Sequence, residues 1–157
     1  LLDNEFRDEK WIKRKDYLTT FWKEYVDQLQ FDDPEQPIPK PMKKENLFIY
    51  PSGDDCNWIS CYFMASQKRV GVYFKFKDNP QGINQKEQLH EYKEDIKTEL
   101  GDDVIWIWDD GKSEEFYISM ELDDVYAKEN KIEIMDFFNK WTNIFVNVMR
   151  PKLKYLK

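Results

Sequence analysis

The run RVGVYFKFK, residues 69–77, sets Val70, Val72, Phe74 and Phe76 against Gly71, Tyr73, Lys75 and Lys77. Apolar residues at a period of two gather on one side of a pleated strand, whereas on a helix they would scatter around the axis. The chain must therefore build a sheet with one strongly apolar face, and its other segments must cover that face. Two further strand patterns precede this one, NLFIYP and NWISCYFMA. The gaps between them, SGDDC and SQK, are short and turn-rich, which predicts an antiparallel meander.

Helical spacing supplies the cover. In NEFRDEKWIKRKDYLTTFWKEYVDQLQ, Trp11, Leu18, Phe21, Trp22, Tyr25 and Leu29 fall on one stripe, with Lys13, Arg14, Lys15 and Lys23 largely off it. A second helix is expected after DNPQGIN and through about Leu100, carrying Leu89, Tyr92, Ile96 and Leu100, with Gly101 as its stop signal. The last, KIEIMDFFNKWTNIFVNVM, places Ile134, Phe138, Trp141, Phe145 and Val148 at steps of four and three and is expected to stop before Pro151. Between the first helix and the first strand, Pro34, Pro37, Pro39 and Pro41 leave neither a regular helix nor a central strand, so this segment reads as an extended connector. A proline-rich ligand for another domain is the alternative reading of it.

VIWIW and EEFYISME add two strands around Asp-Asp-Gly-Lys, an expected hairpin turn. All four of Ile105, Trp106, Ile107 and Trp108 are apolar, which predicts a central strand buried on both sides. The order α-βββ-α-ββ-α lacks a βαβαβ alternation. The expectation is one α+β domain over residues 1–157, with an antiparallel sheet of about five strands and helices packed on one face. The first residues are Leu1-Leu2-Asp3 rather than a methionine, so the chain is expected to be a C-terminal piece of a longer protein.

The core is aromatic, with 11 Phe, 9 Tyr and 6 Trp in 157 residues, and this makes disorder improbable despite 35% charged residues. A formal net charge of −7 argues against a whole-domain nucleic-acid binder, because phosphate neutralisation needs a basic balance. The charge is uneven. Residues 101–124 hold nine acids against Lys112, whereas the C-terminal stretch carries Arg150, Lys152 and Lys154, a candidate phosphate-contacting tail beside the plainer reading of a solvated basic end. Two cysteines and one histidine are too few for a structural zinc site. No apolar run approaches a membrane span and no signal-peptide pattern opens the chain, so a reducing, cytoplasmic setting is expected.

The sharpest catalytic pattern is an acid, then acid-x-lysine, as restriction-type nucleases use to hold magnesium beside a phosphate. Asp110-Gly111-Lys112 has that spacing, with Asp103 or Asp109 as the preceding acid. The pair falls in a turn, however, where the pleat cannot aim both side chains at one ion, so the hairpin is favoured; magnesium enters only under the hydrolase alternative. A Cys–His pair would need His90 to meet Cys56 or Cys61, yet Cys61 shares a strand face with Ile59 and Phe63 and reads as core. No serine has a nucleophile-elbow context, and no glycine-rich phosphate loop is present.

RKDYLTTFWKEYVDQL, NWISCYF, IKTELGDDVIWIW, FYISMELDD and the Trp141 helix ending RPKLKYL together resemble a bacterial domain family of unknown function. The Phe21-Trp22 pair and the Leu100, Gly101, Trp106 run carry the resemblance, which covers nearly the whole chain. That family commonly forms the C-terminal part of proteins whose N-terminal part looks like a restriction-endonuclease-type nuclease. The resemblance implies a non-catalytic accessory or binding domain in a nuclease, DNA-processing or defence protein. With the uneven charge, the expected partners are DNA, through Arg150, Lys152 and Lys154, or another protein such as an upstream nuclease domain, through an acidic or aromatic surface. The apolar C-terminal helix also raises a homodimer. No catalytic residue carries over.

Overall fold

The computed structural model describes residues 2–108 and 114–156, with side chains described from Glu9 onward. Among these residues the elements run α1 (Leu2–Gln28), β1 (Asn46–Ile49), β2 (Asn57–Met64), β3 (Arg69–Phe76), α2 (Pro80–Leu89), α3 (Lys93–Leu100), β4 (Ile105–Trp106), β5 (Phe116–Glu121) and α4 (Lys131–Leu153). The five strands form one antiparallel sheet in the order β1-β2-β3-β5-β4. The fold is α+β with the expected meander β1-β2-β3.

Register explains the two faces. Leu47, Cys61, Val72 and Ile118 lie in one cross-strand row, and Ile49, Ile59, Phe74 and Phe116 in the next but one. Every member of both rows is at most 7% exposed. The period of two first visible in Val70–Phe76 is thus matched on each neighbouring strand. A one-residue slip would turn all of these apolar side chains outward.

The helices cover this face through two aromatic clusters. In one, Phe21 meets Phe63 edge-on at 5.0 Å and Trp22 stacks on Phe138 of α4 at 5.6 Å. In the other, Phe74 stacks on Phe116 at 5.2 Å, Trp106 on Phe116 at 5.6 Å, and Phe145 of α4 meets Phe116 edge-on at 5.0 Å. Each such ring contributes about 1.5–3 kcal/mol by burial, with roughly 0.5–1.5 kcal/mol more per favourable ring pair. All five apolar positions expected on α4 are buried. That stripe is therefore spent inside the domain.

Four expectations need correction. The WIW segment is not central: β4 is a two-residue edge strand, and Ile105 is 46% exposed. Its tryptophans point to the core, while Ile105 pairs with Tyr117 on the opposite face. Trp11 leaves the α1 stripe at 61% exposed, although Leu18, Phe21, Trp22, Tyr25 and Leu29 are all at most 2%. A 27-residue helix is about 40 Å long, and an eight-residue strand only about 26 Å, so the first turns overrun the sheet.

The second helix starts earlier than expected and is broken. Asn79 caps it by accepting from Gly82 N at 2.8 Å, Pro80 takes the first helical position, and Gly82 admits the Lys77 carbonyl where a Cβ would collide. A 3₁₀ turn, His90–Tyr92, then separates α2 from α3 and leaves Tyr92 48% exposed. Finally, α4 continues through Pro151 to Leu153. Proline in the last turn loses only one late hydrogen bond, and Lys152 Nζ donates to the Val148 carbonyl at 3.2 Å.

Candidate functional site

The described acids of residues 99–124 are dispersed. Asp102 and Asp103 are exposed past Gly101, which ends α3 with a left-handed φ of 92°. Glu115 is 3% exposed and pairs with Lys86 at 3.1 Å. Asp123 and Asp124 tie the turn before α4: Asn130 donates to Asp123 Oδ1 at 3.1 Å, and Tyr126 N donates to Asp124 Oδ1 at 2.9 Å. The Asn130 amide holds the Asp123 carboxyl below its ordinary range. Asp109, Asp110 and Lys112, with the turn they were expected to make, lie outside the described residues. Among the described residues no group of three or more His, Cys, Asp or Glu side chains could hold a metal ion. Cys61 is sealed in the core and its thiol is pushed well up by burial, whereas His90 is exposed, so the two do not meet.

The tail cations are each engaged within the fold. Arg150 Nη1 donates to the Pro51 carbonyl at 2.8 Å, and its Nε lies 2.8 Å from Asp33 Oδ2, a close ion contact rather than an aligned hydrogen bond. Lys152 pairs with Glu99 at 2.7 Å and Lys154 with Glu35 at 3.1 Å. Arg150 ends a ladder along α4 that sequence reasoning missed. Asn139 donates to Gln28, Asn143 to the Gln30 carbonyl, and Asn147 to Asp32. The spacing of four places these amides on one helix face, where they satisfy the end of α1 and the start of the connector. On sequence they read only as a polar face, because their partners are more than a hundred residues away.

The surface with the composition of a binding site is the sheet face turned from the helices. Asn46, Tyr62, Gly71 and Ser119 form one of its cross-strand rows, and Phe48, Ser60, Tyr73 and Tyr117 form the next. Tyr62 lies flat over Gly71: a Cβ at Gly71 would sit 2.7 Å from Tyr62 Cε1 and closer still to its hydroxyl end. Glycine in mid-strand is needed for that close approach. Burial pushes the Tyr62 hydroxyl up to about 12, with smaller upward contributions from Tyr117, Glu114 and Tyr73 and a downward one from Arg69.

A pocket of about 330 Å³ opens beside this ring, lined by Tyr62, Tyr73, Tyr117, Arg69, Met64 and Ile107 among others. Glu114 also lines the pocket, and among the described residues Arg69 Nη2 reaches the Met64 sulfur at 3.5 Å while its buried Nε finds no hydrogen-bond acceptor. Lys75 stands over Trp58 at 5.4 Å on the same face. A buried and two partly exposed tyrosines, a tryptophan, a methionine and an arginine are the residue types enriched in the buried centres of interfaces. The alternation Tyr73/Lys75 and Tyr117/Ser119 already held this signal: it marks the side chains opposite the core on the two middle strands.

No helix among the described residues is long and apolar enough to cross a membrane. No curated protein and no solved structure matches the chain. The model of one family matches residues 17–153, from Tyr17 in the second half of α1 to the last residue of α4, and so takes in all five strands and the helices α2, α3 and α4. The chain belongs to the family described as domain of unknown function DUF4268.

Proposed function

We propose that this domain is a non-catalytic accessory module of a nuclease or other DNA-processing protein, and that it docks a protein partner on the helix-free face of its sheet. The observation that carries this reading is the pocket around Tyr62, Tyr73 and Tyr117, where Arg69 keeps a buried donor without an acceptor among the described residues. A partner carbonyl or carboxylate at that donor would complete its hydrogen bonding, and partner apolar groups would cover Ile105 and Ile107. Buried guanidinium donors left unpaired cost about 1–3 kcal/mol, so docking recovers free energy that the isolated domain forgoes. The nuclease context comes from the resemblance of FWK, NWISCYF and LGDDVIWIW to a domain that follows restriction-type nucleases.

The test is co-purification of this domain with the region encoded upstream of it, each expressed separately. Retention of the wild-type domain and loss with Tyr73→Glu plus Ile105→Glu supports the reading. An upstream region without a nuclease-type segment removes the nuclease assignment, and retention unaffected by the two substitutions removes the docking face.

A further inference from the structure

The overrunning first turns of α1 form a second feature, distant in character from the tyrosine face. Between them and the end of the connector lies a cleft of about 350 Å³ lined by Trp11, Arg14, Lys15, Lys43 and Lys44, with Leu18 and Glu45 completing it. We propose that this cleft binds single-stranded nucleic acid, with the phosphodiester backbone on the four cations and a base stacked on Trp11.

Charge is the first argument. Four cations face one carboxylate here, in a chain whose formal net charge is −7. None of the four is paired with a carboxylate among the described residues, whereas Arg150, Lys152 and Lys154 all are. A cation already neutralised by an internal carboxylate releases few counterions on meeting a phosphate; a free one supplies the full electrostatic gain.

The second argument is stacking. Trp11 is 61% exposed, and Lys15 Nζ stands 5.3 Å from its ring centroid. A large aromatic beside unpaired cations, in a cleft, is the arrangement by which single strands are held without sequence preference. Duplex DNA keeps its bases stacked inside and offers Trp11 nothing, so the ring selects for the single strand.

The third is preorganisation. The Trp22 indole donates to the Lys44 carbonyl at 2.6 Å, and Phe63 N donates to the Glu45 carbonyl at 2.9 Å. These bonds pin the connector's end to α1 and β2, so Lys43 and Lys44 sit on backbone fixed by a fully buried tryptophan. Arg14 is steadied in turn by Tyr126, 5.3 Å from its guanidinium carbon.

The experiment is fluorescence anisotropy of the whole chain with a labelled oligothymidylate and with a duplex of equal length, over a range of salt. The single strand is expected to bind more tightly than the duplex, with affinity falling as salt rises. Lys43→Glu with Lys44→Glu should weaken binding at least tenfold and flatten the salt dependence by about 0.7 per lost phosphate contact. Trp11→Ala should weaken it by roughly 5- to 150-fold, the loss of one stacked base. Circular dichroism confirms that each variant stays folded; all three positions are surface sites. No binding by the wild-type chain at low salt overturns the proposal. So does binding that ignores these substitutions but falls with Lys152→Gln and Lys154→Gln. The tyrosine-face substitutions Tyr73→Glu and Ile105→Glu should leave oligonucleotide binding intact, so this site and the docking face fail independently.

Discussion

Arg150 decides between two roles for the basic tail, phosphate contact and internal clamp. Its side chain is only 12% exposed; it donates to the Pro51 carbonyl and lies against Asp33, itself 23% exposed. Truncation to alanine removes one charge-assisted hydrogen bond, worth about 1.5–3 kcal/mol, and leaves Asp33 without its cation. Breaking a fully buried pair costs about 3–5 kcal/mol, and the partial exposure here brings that down. We expect a total loss of about 2–3 kcal/mol, or roughly 4–12 °C in melting temperature for a chain of this size. Arg150→Lys keeps the charge but not the fork and should lose about half as much. Urea unfolding is the assay, with a lower midpoint at unchanged m-value. A loss below about 0.5 kcal/mol would mean the clamp contributes nothing beyond an ordinary surface residue. If stability held while oligonucleotide binding fell, Arg150 would be the phosphate contact and the internal assignment would be refuted.

Other outcomes follow from the same geometry. Gly71→Ala should cost about 1–3 kcal/mol by urea unfolding, because its Cβ displaces the Tyr62 ring; an unchanged midpoint would show that the ring has room to move. Alkaline titration is a second check. The Tyr17 and Tyr62 hydroxyls are pushed by burial from 10.0 up to about 12, so between those values the unfolded chain releases protons that the fold retains. Their contribution is full below pH 10 and is lost as pH rises toward 12, so stability should decline across that window, while phenolate absorbance shows Tyr17 and Tyr62 titrating late together with Tyr25 and Tyr126, which burial also raises. Replacing Asp103, Asp110 and Lys112 should leave any magnesium-dependent cleavage by preparations containing this chain unchanged; loss of cleavage would restore the hydrolase reading.

Much of the fold was legible because its signals are local. Val70, Val72, Phe74 and Phe76 declare a strand face by themselves, and Ile134 through Val148 declare a helix stripe. The position of β4 was not legible, since four apolar residues in a row look the same in a central strand as in an edge segment that caps a core with tryptophans and sets Ile107 against a pocket. Only the non-local pairing of β3 with β5 decides between them. Trp11 misled for a related reason: its stripe continues past the sheet it was meant to cover. The ladder of Asn139, Asn143 and Asn147 and the pairing of Arg150 with Asp33 depend on a connector whose path four prolines permit but do not dictate. The tyrosine face was half visible. Its alternation with the core residues places it on the far side of the sheet, and only the structure shows Tyr62 folded over Gly71 with Arg69 beside it.

The claim that this face docks a partner is tested most directly by hydroxyl-radical footprinting of the tyrosines, comparing this chain alone with this chain bound to a co-purified partner. Tyr73 and Tyr117 should react several-fold more slowly in the complex, while Tyr155, 85% exposed just past the end of α4, reacts at the same rate in both. Equal reactivity of Tyr73 and Tyr117 in the two samples would contradict the assignment.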